Sequence, residues 1–320
     1  MKALVAQELS GPSGLVCTDV DDVAGDDMVV VDVGAAGVCF PDLLLIRGEY
    51  QLKLEPPFIP GMEVAGTVRS APDDSGLKPG QRVSAFTMLG GFAERVAVAP
   101  ENLVPTLDDI DDAAAVALLG NYYTMYFALV RRGALRPGET VLVLGSAGGI
   151  GTASVQLAKA LGARVIAMVH RPQAIDFVSS LGADVVLPLT KGWVQAVQEH
   201  TDGRGVDMVV DPVGGEVFDD AIRALATEGR LLVVGFAAGG IPTVKVNRLL
   251  LRNVGVIGVG WGEFVNRNPG AQSLFGFGLG QLVEAGLRPP PPQRYPLSEG
   301  RAALESLAAG GVVGKVVLEP

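Results

Sequence analysis

The 320-residue chain is predicted to be an α/β protein in which a doubly wound parallel-sheet domain is inserted into a β-rich, barrel-like domain. Three observations carry that prediction. Short apolar or alternating runs broken by Gly, Pro and Asp fill roughly the first hundred residues. From about residue 110 apolar strands alternate with helical segments, and the last part returns to the short-strand texture. The length exceeds what one hydrophobic core usually serves, so two domains are expected. Residues 1–120 and 260–320 are assigned to the β-rich domain and 121–259 to the inserted one.

The strands of the first part are read at residues 2–6, 28–33, 63–68, 82–86 and 93–98. Gly11-Pro12, Asp26-Asp27, Pro72-Asp73 and Pro79-Gly80 break the chain between them. Frequent turns between short strands suggest a barrel or sandwich. The acids of residues 108–112 precede an apolar helix at 113–118, a favourable charge order at a helix N-terminus. Strand 140–144, helix 151–161, strand 164–169 and helix 174–181 follow. Further strands are expected at 184–187, 206–210, 230–234 and 254–259, with helices between most of them. Apolar strands alternating with helices imply a parallel sheet covered on both faces. The prolines of 289–292 read as an extended connector or an edge strand. Ser298 then caps a helix over 299–308, and 314–318 closes as a strand. The cleft between two such domains is a usual place for a site.

Composition narrows the function. Hydrophobic residues make up 48% and charged residues 19%, and mean hydropathy is +0.36. No stretch reaches the roughly 20 uninterrupted apolar residues of a membrane span. The opening Met1–Val5 has neither the long apolar run nor the cleavage site of an export signal. A cytoplasmic protein with a buried sheet is therefore expected, with no membrane partner. A net charge of −10 without a basic patch argues against nucleic acid as the main partner. Cys17 and Cys39 lack metal-knuckle spacing, and a reduced state is expected for both.

The strongest local signal is V-L-V-L-G-S-A-G-G-I-G over residues 141–151, an apolar strand running through a glycine-rich turn into a helix. A dinucleotide pyrophosphate needs a backbone without side chains in its way and a helix N-terminus with free N–H groups. Gly148 and Gly151 take the second and third positions of G-x-G-x-x-G, and Ser146 stands where the first glycine would be. Ala147, Gly149 and Ile150 complete the cradle. An NAD enzyme normally places Asp or Glu at the end of the second strand. Here the segment reads A-M-V-H-R-P-Q, so His170 and Arg171 occupy that place. A cation suits a 2′-phosphate, and NADPH is the expected cofactor.

Over essentially its whole length the chain resembles the medium-chain dehydrogenase/reductase superfamily, in its zinc-free quinone oxidoreductase (zeta-crystallin-like) group. The resemblance rests on A-G-V-C-F-P-D-L-L-L-I-R-G-E-Y (36–50), P-G-M-E-V-A-G-T-V (60–68), G-G-F-A-E-R-V (90–96), L-R-P-G-E-T-V-L-V-L-G-S-A-G-G-I-G (135–151), V-D-P-V (210–213) and G-K-V-V-L (314–318). It implies a GroES-like barrel, a Rossmann-type cofactor domain and a site in the cleft. It also implies that Thr124 meets the nicotinamide end and that Gly235, Phe236, Ala237, Gly258, Val259 and Gly260 frame it. Lys315 matches a C-terminal lysine that lies near the cofactor in relatives. Each of these also has a plain reading as packing or a turn.

Three departures from the family pattern are informative. Quinone reductases usually have Asn at Cys39, where zinc alcohol dehydrogenases have a metal-binding Cys. A catalytic zinc needs about three protein ligands, and the other ligand positions read Met62 and Asn121. No zinc is expected, and Cys39 is either a thiol near the nicotinamide or a packed side chain. Relatives often hold the 2′-phosphate with a Lys and a Tyr at the places that read Ala174 and Leu189 here. NADPH preference then rests on Arg171 and His170, with no third group expected.

Without zinc there is no Lewis acid to polarise a simple carbonyl. Hydride addition to a quinone or an α,β-unsaturated carbonyl needs less, because negative charge spreads onto a conjugated oxygen. The protein must orient the reactants and offer that oxygen a donor, for which Tyr50, Tyr122 and Cys39 are the candidates. Asp42 is expected to tether the barrel segment. The expected enzyme is thus an NADPH:quinone oxidoreductase-like reductase. Reduction of enoyl thioesters and a non-catalytic, structural or RNA-binding role are the alternatives. The apolar segment 249–259 suggests a homodimer.

Overall fold

The computed structural model describes every residue except Asp26 and Pro269, so the turn expected at Asp26-Asp27 lies partly outside the described residues. In chain order the first elements are β1 (Lys2–Ala6), β2 (Leu15–Asp19), β3 (Val29–Val38), α1 (Phe40–Leu45), β4 (Glu63–Ser70), β5 (Arg82–Phe86), β6 (Arg95–Val98), β7 (Leu103–Pro105) and α2 (Asp112–Ala117). Next come α3 (Tyr123–Tyr126), flanked by π-helical turns, β8 (Thr140–Val143), α4 (Gly149–Ala160), β9 (Arg164–Val169), α5 (Ile175–Ser180), β10 (Val185–Pro188) and α6 (Trp193–Glu199). The remainder is β11 (Val206–Asp211), α7 (Phe218–Ala224), β12 (Leu225–Val233), α8 (Val246–Arg252), β13 (Gly255–Gly258), α9 (Trp261–Arg267), α10 (Ala271–Glu284), β14 (Gln293–Pro296), α11 (Gly300–Ala308) and β15 (Val316–Glu319).

Two compact units result: Met1–Gly120 with Arg288–Pro320, and Asn121–Leu287. In the first unit β14, β15, β3, β4, β5 and β7 are neighbours in that order, with β6 added on β3, and β1 pairs with β2. The pairs along this path are antiparallel apart from β14 and β15. Val31, Val33, Val64, Val83, Phe92 and Leu318 point into one core with Leu304 of α11. The expected strand at 28–33 continues through Gly34 to Val38, with register shifts against β4 between Val30 and Val31 and between Val33 and Ala35. Such irregularities bend a strand without ending it.

The second unit is a six-stranded parallel sheet in the order β10-β9-β8-β11-β12-β13. This is the doubly wound order in which ligands bind beyond the carboxyl ends of the two strands where the order reverses, here β8 and β11. Leu142, Ile166, Val209 and Leu231 are fully buried in the sheet, as near-continuous apolar strands require.

The boundary expected at residue 260 is corrected: the first unit resumes at Arg288. Helices α9 and α10 belong to the second unit because Trp261, Phe264 and Phe275 pack on Phe127, with ring centroids 5.5, 4.7 and 5.5 Å away. The glycines of G-F-G-L-G discourage a helix in sequence. In the fold Gly276 and Gly278 leave room for the hydroxyls of Tyr123 and Tyr126, so their lack of side chains permits α10 to pack there. One helical run, Asp112–Arg132, has the length and composition of a membrane span, although Asn121 and Thr124 interrupt its apolar sequence. Of its apolar window, 61% is buried within the protein, as in a core helix.

Candidate functional site

The turn after β8 is built by short-range bonds. Ser146 is fully buried; its Oγ donates to the Val143 carbonyl (2.8 Å) and accepts from the Met168 N–H (3.1 Å). The serine in place of a first glycine therefore clamps the turn to β9, and its side chain is turned away from solvent. Ala147 is partly exposed and Gly148 exposed. Gly148 caps α4 with an extended backbone (φ −79°) and no side-chain cap. A β-carbon at Gly148 would meet only the Gly145 carbonyl, at 3.7 Å, and would otherwise point into open space. At Gly151 it would lie 2.5 Å from Ser146 Cα and closer still to Gly145 O. One glycine keeps the cradle open, and the other lets helix and turn touch. The Asn121 amide lies against Gly149, with Cγ 2.9 Å from where a β-carbon would stand. Ile150 is occupied through its carbonyl, which accepts from Ser154 Oγ at 2.6 Å.

The other loops at the same sheet edge are equally well defined. His170 is exposed and Arg171 partly so, directly after β9. Ala174 is buried and Leu189 packs on the core, so both places where relatives carry Lys and Tyr serve packing here. Asp211, in the V-D-P-V motif, ends β11 at this same edge. Its Oδ1 accepts from the N–H groups of Val213 (2.9 Å) and Gly214 (2.8 Å), and Oδ2 is buried without a partner. Burial pushes its carboxyl above the usual range. The loop Gly235-Phe236-Ala237 is tied back by Ala237 N–H to the Pro212 carbonyl (3.1 Å). Val259 is buried and donates to Val233 O (2.9 Å), while Gly258 O accepts from Arg132 Nε (3.0 Å) and Gly260 caps α9. Thr124 is partly exposed on α3, which packs on α4. Tyr122 is buried and its hydroxyl donates to Gln156 Oε1; burial pushes its pKa upward.

In the first unit the structure gathers residues that are far apart in sequence. Lys315 is 6% exposed and its Nζ donates to Glu63 Oε2 (2.7 Å) and to Cys39 Sγ (3.1 Å). Burial works against the ammonium, yet Cys39 and Glu63 hold its pKa above the ordinary lysine range. Burial, with Glu63 close by, pushes the Cys39 thiol well up, and Lys315 pulls the other way. Asp42, fully buried, accepts from Cys39 N–H (2.8 Å) and Gly61 N–H (3.2 Å), which is the tether expected of it. Tyr50 is partly buried, and burial together with Asp42 and Cys39 raises its pKa.

These contacts bear on zinc. Among the described residues no group of three or more His, Cys, Asp or Glu side chains could hold a metal. The Cys39 thiol faces an ammonium, which opposes a cation, and Met62 is buried in the P-G-M-E segment. The donor set does not fit a catalytic zinc.

Asp42 gives a pH test. Burial raises its pKa from the ordinary 3.8 to about 7. Between those values the folded chain binds more protons than the unfolded one, so this group's contribution falls as pH rises. Relative to the parent, Asp42→Asn should gain up to about 4 kcal/mol between about pH 4 and about pH 8. The cost of the amide itself is the same at every pH. Denaturant midpoints measure this, and a pH-independent difference between the two chains would overturn it.

The family model for the alcohol dehydrogenase GroES-like domain matches residues 25–109, and that for zinc-binding dehydrogenase matches 149–275. Quinone oxidoreductase-like protein 2 of Bos taurus is 35% identical over 294 residues, 91% of this chain and 84% of that protein. A probable oxidoreductase from Mycobacterium abscessus has a crystal structure that superposes with a TM-score of 0.93 at 62% identity, over 100% of this chain and 99% of the other. The quinone oxidoreductase of Thermus thermophilus, solved also in complex with NADPH, superposes with a TM-score of 0.84 at 35% identity, over 100% of both chains.

Proposed function

We propose a reaction for a chain that belongs to the quinone oxidoreductase group of the medium-chain dehydrogenase/reductase superfamily: hydride transfer from NADPH to a quinone or an α,β-unsaturated carbonyl, without zinc. The observation that carries the reading is the open, uncapped start of α4 at Gly148, beside a second strand that is followed by His170 and Arg171 and no acid. A β-carbon at Gly148 would project into the open space before this helix start, space that suits a pyrophosphate.

Bound NADPH supplies the hydride. Residues 147–151 line the pyrophosphate and offer it backbone N–H groups other than that of Gly148, which donates to Gly145 O (3.1 Å), and Arg171 with His170 meets the 2′-phosphate. Thr124, Gly235 to Ala237 and Gly258 to Gly260 frame the nicotinamide, with Asp211 holding the neighbouring loop in shape. Tyr50 and Cys39 are proposed as donors to the acceptor's oxygen. Their raised pKa values keep both protonated at neutral pH, as a donor requires. Tyr122 is not proposed as a donor, because its hydrogen is committed to Gln156. Lys315 acts by holding Cys39 in place.

A substrate panel tests the reaction. Oxidation of NADPH with a simple quinone and an enone, faster than with NADH and unchanged after chelation, is expected. Turnover confined to crotonyl-CoA would favour enoyl-thioester reduction, and no turnover at all would favour a non-catalytic role. One tightly bound zinc whose removal abolishes activity would refute the zinc-free reading.

The same proposal includes a homodimer. Among the described residues β13 has a neighbour on one side, and Leu250 and Leu251 in the preceding helix are 75% and 78% exposed. An open edge strand beside exposed leucines suits a two-fold contact. Sedimentation equilibrium at micromolar concentration should give the dimer mass; a monomer mass ends this part of the proposal.

A further inference from the structure

The ends of β9 and β10 lie side by side in the parallel sheet. Val169 is opposite Pro188, and the Leu189 N–H donates to the Val169 carbonyl at 2.8 Å, so the pairing runs one residue beyond the strand. Thr190 and Lys191 therefore leave β10 at the same sheet edge at which His170 and Arg171 leave β9. That turn is held in shape by its own bonds. Thr190 N–H donates to Pro188 O (3.0 Å), and Trp193 N–H to Thr190 O (3.1 Å). Gly192 takes the left-handed conformation (φ 87°), and Trp193 anchors the start of α6 in the core.

Charge singles this edge out. The chain carries a net charge of −10, yet residues 169–175 and 188–192 contain His170, Arg171 and Lys191 and no carboxylate. Thr190, Lys191 and His170 are exposed, and neither Lys191 nor His170 enters an ion pair among the described residues. Neighbouring strands stand about 4.8 Å apart, so cations on adjacent strand ends can face one small dianion.

We propose that Lys191, on the turn after β10, is a specificity-determining residue that shares the cofactor's 2′-phosphate with Arg171 and His170, with the Thr190 hydroxyl beside it. This rests on the NADPH reading above and deepens it. It also replaces the expectation that no third group is available. Ala174 and Leu189 are given over to packing, and the charge they lack is supplied from the adjoining turn. Two cations on separate strand ends fix a phosphate better than one flexible arginine, because the turn is ordered before the ligand arrives. Lys191 is exposed, so its replacement leaves the fold unburdened.

The test uses the full chain and two probes, adenosine 2′,5′-bisphosphate and 5′-AMP, with dissociation constants measured by calorimetry. The parent should bind the bisphosphate more tightly. Lys191→Ala and Arg171→Ala should each weaken it by about tenfold, as loss of a charge-assisted contact does, and leave 5′-AMP unchanged. Lys191→Arg should retain most of the affinity. The Michaelis constant for NADPH should rise in parallel while that for NADH stays constant. If the parent prefers the bisphosphate, Arg171→Ala loses that preference and Lys191→Ala keeps it, then Lys191 takes no part and the NADPH reading survives. A parent that binds both probes equally would overturn the NADPH reading itself.

Discussion

Replacing Lys315 with Met is expected to destabilise the protein by about 3–5 kcal/mol, the usual cost of leaving a buried charge without its partner. The carboxylate left behind is Glu63, which is 1% exposed and packs against the backbone of Gly120. Glu63→Gln should cost less, since the amide oxygen still accepts from the ammonium, but Lys315 then sits buried beside a neutral Cys39 thiol. Combining the two substitutions removes both charges and keeps the volume that the neighbouring glycine backbone fits. The double variant should therefore be more stable than Lys315→Met alone, with a coupling of about 1–3 kcal/mol. Urea unfolding of the four chains measures it. Additive effects would mean that the ion pair carries no coupling and that the lysine acts through packing alone. A second readout follows from the Cys39 contact: Glu63→Gln leaves the ammonium as the nearer charge to Sγ, so the thiol should react faster with iodoacetamide near neutral pH.

Alanine at Gly151 and at Gly148 should separate stability from binding. At Gly151 the new methyl meets backbone atoms of Gly145 and Ser146, which cannot move aside as a side chain could. Overpacking of this kind costs about 1–3 kcal/mol or more, and cofactor affinity falls with the turn's distortion. At Gly148 the backbone already has φ −79° and the methyl enters open space. Stability there should stay level or rise slightly, because alanine restricts the unfolded chain. Affinity for NADPH should nevertheless fall by about ten- to a hundredfold, as when one or two charge-assisted contacts are lost. Thermal melts with and without cofactor read both effects. Equal loss of stability in the two variants, or unimpaired binding in Gly148→Ala, would sink the assignment of this turn as the pyrophosphate site.

Much of the second unit was legible because its information is local. In residues 141–151 the strand, the turn and the helix start are contiguous, and each residue's role follows from its immediate neighbours. The parallel order likewise follows from apolar strands separated by helices. Helix α10 was not legible, because Gly276 and Gly278 lower its intrinsic propensity and only packing against Tyr123 and Tyr126 gives them a purpose. The boundary expected at residue 260 failed for the same reason: the aromatic contacts that assign α9 and α10 to the second unit join residues more than a hundred positions apart.

The two kinds of site residue divide along the same line. Sequence alone determined the family, the glycine-rich turn between strand and helix, and the absence of an acid after β9, all properties of short contiguous segments. Tertiary structure alone decided that Lys315 meets Glu63 and Cys39 across 252 and 276 positions, that Tyr122 donates to Gln156, and that the end of β10 lies against the end of β9. A lysine or glutamate in a sequence looks like any solvated charge. Whether it stays in water or is buried against a partner depends on which distant strands the core brings together, and an ion pair has strength only once the fold has removed the water around it.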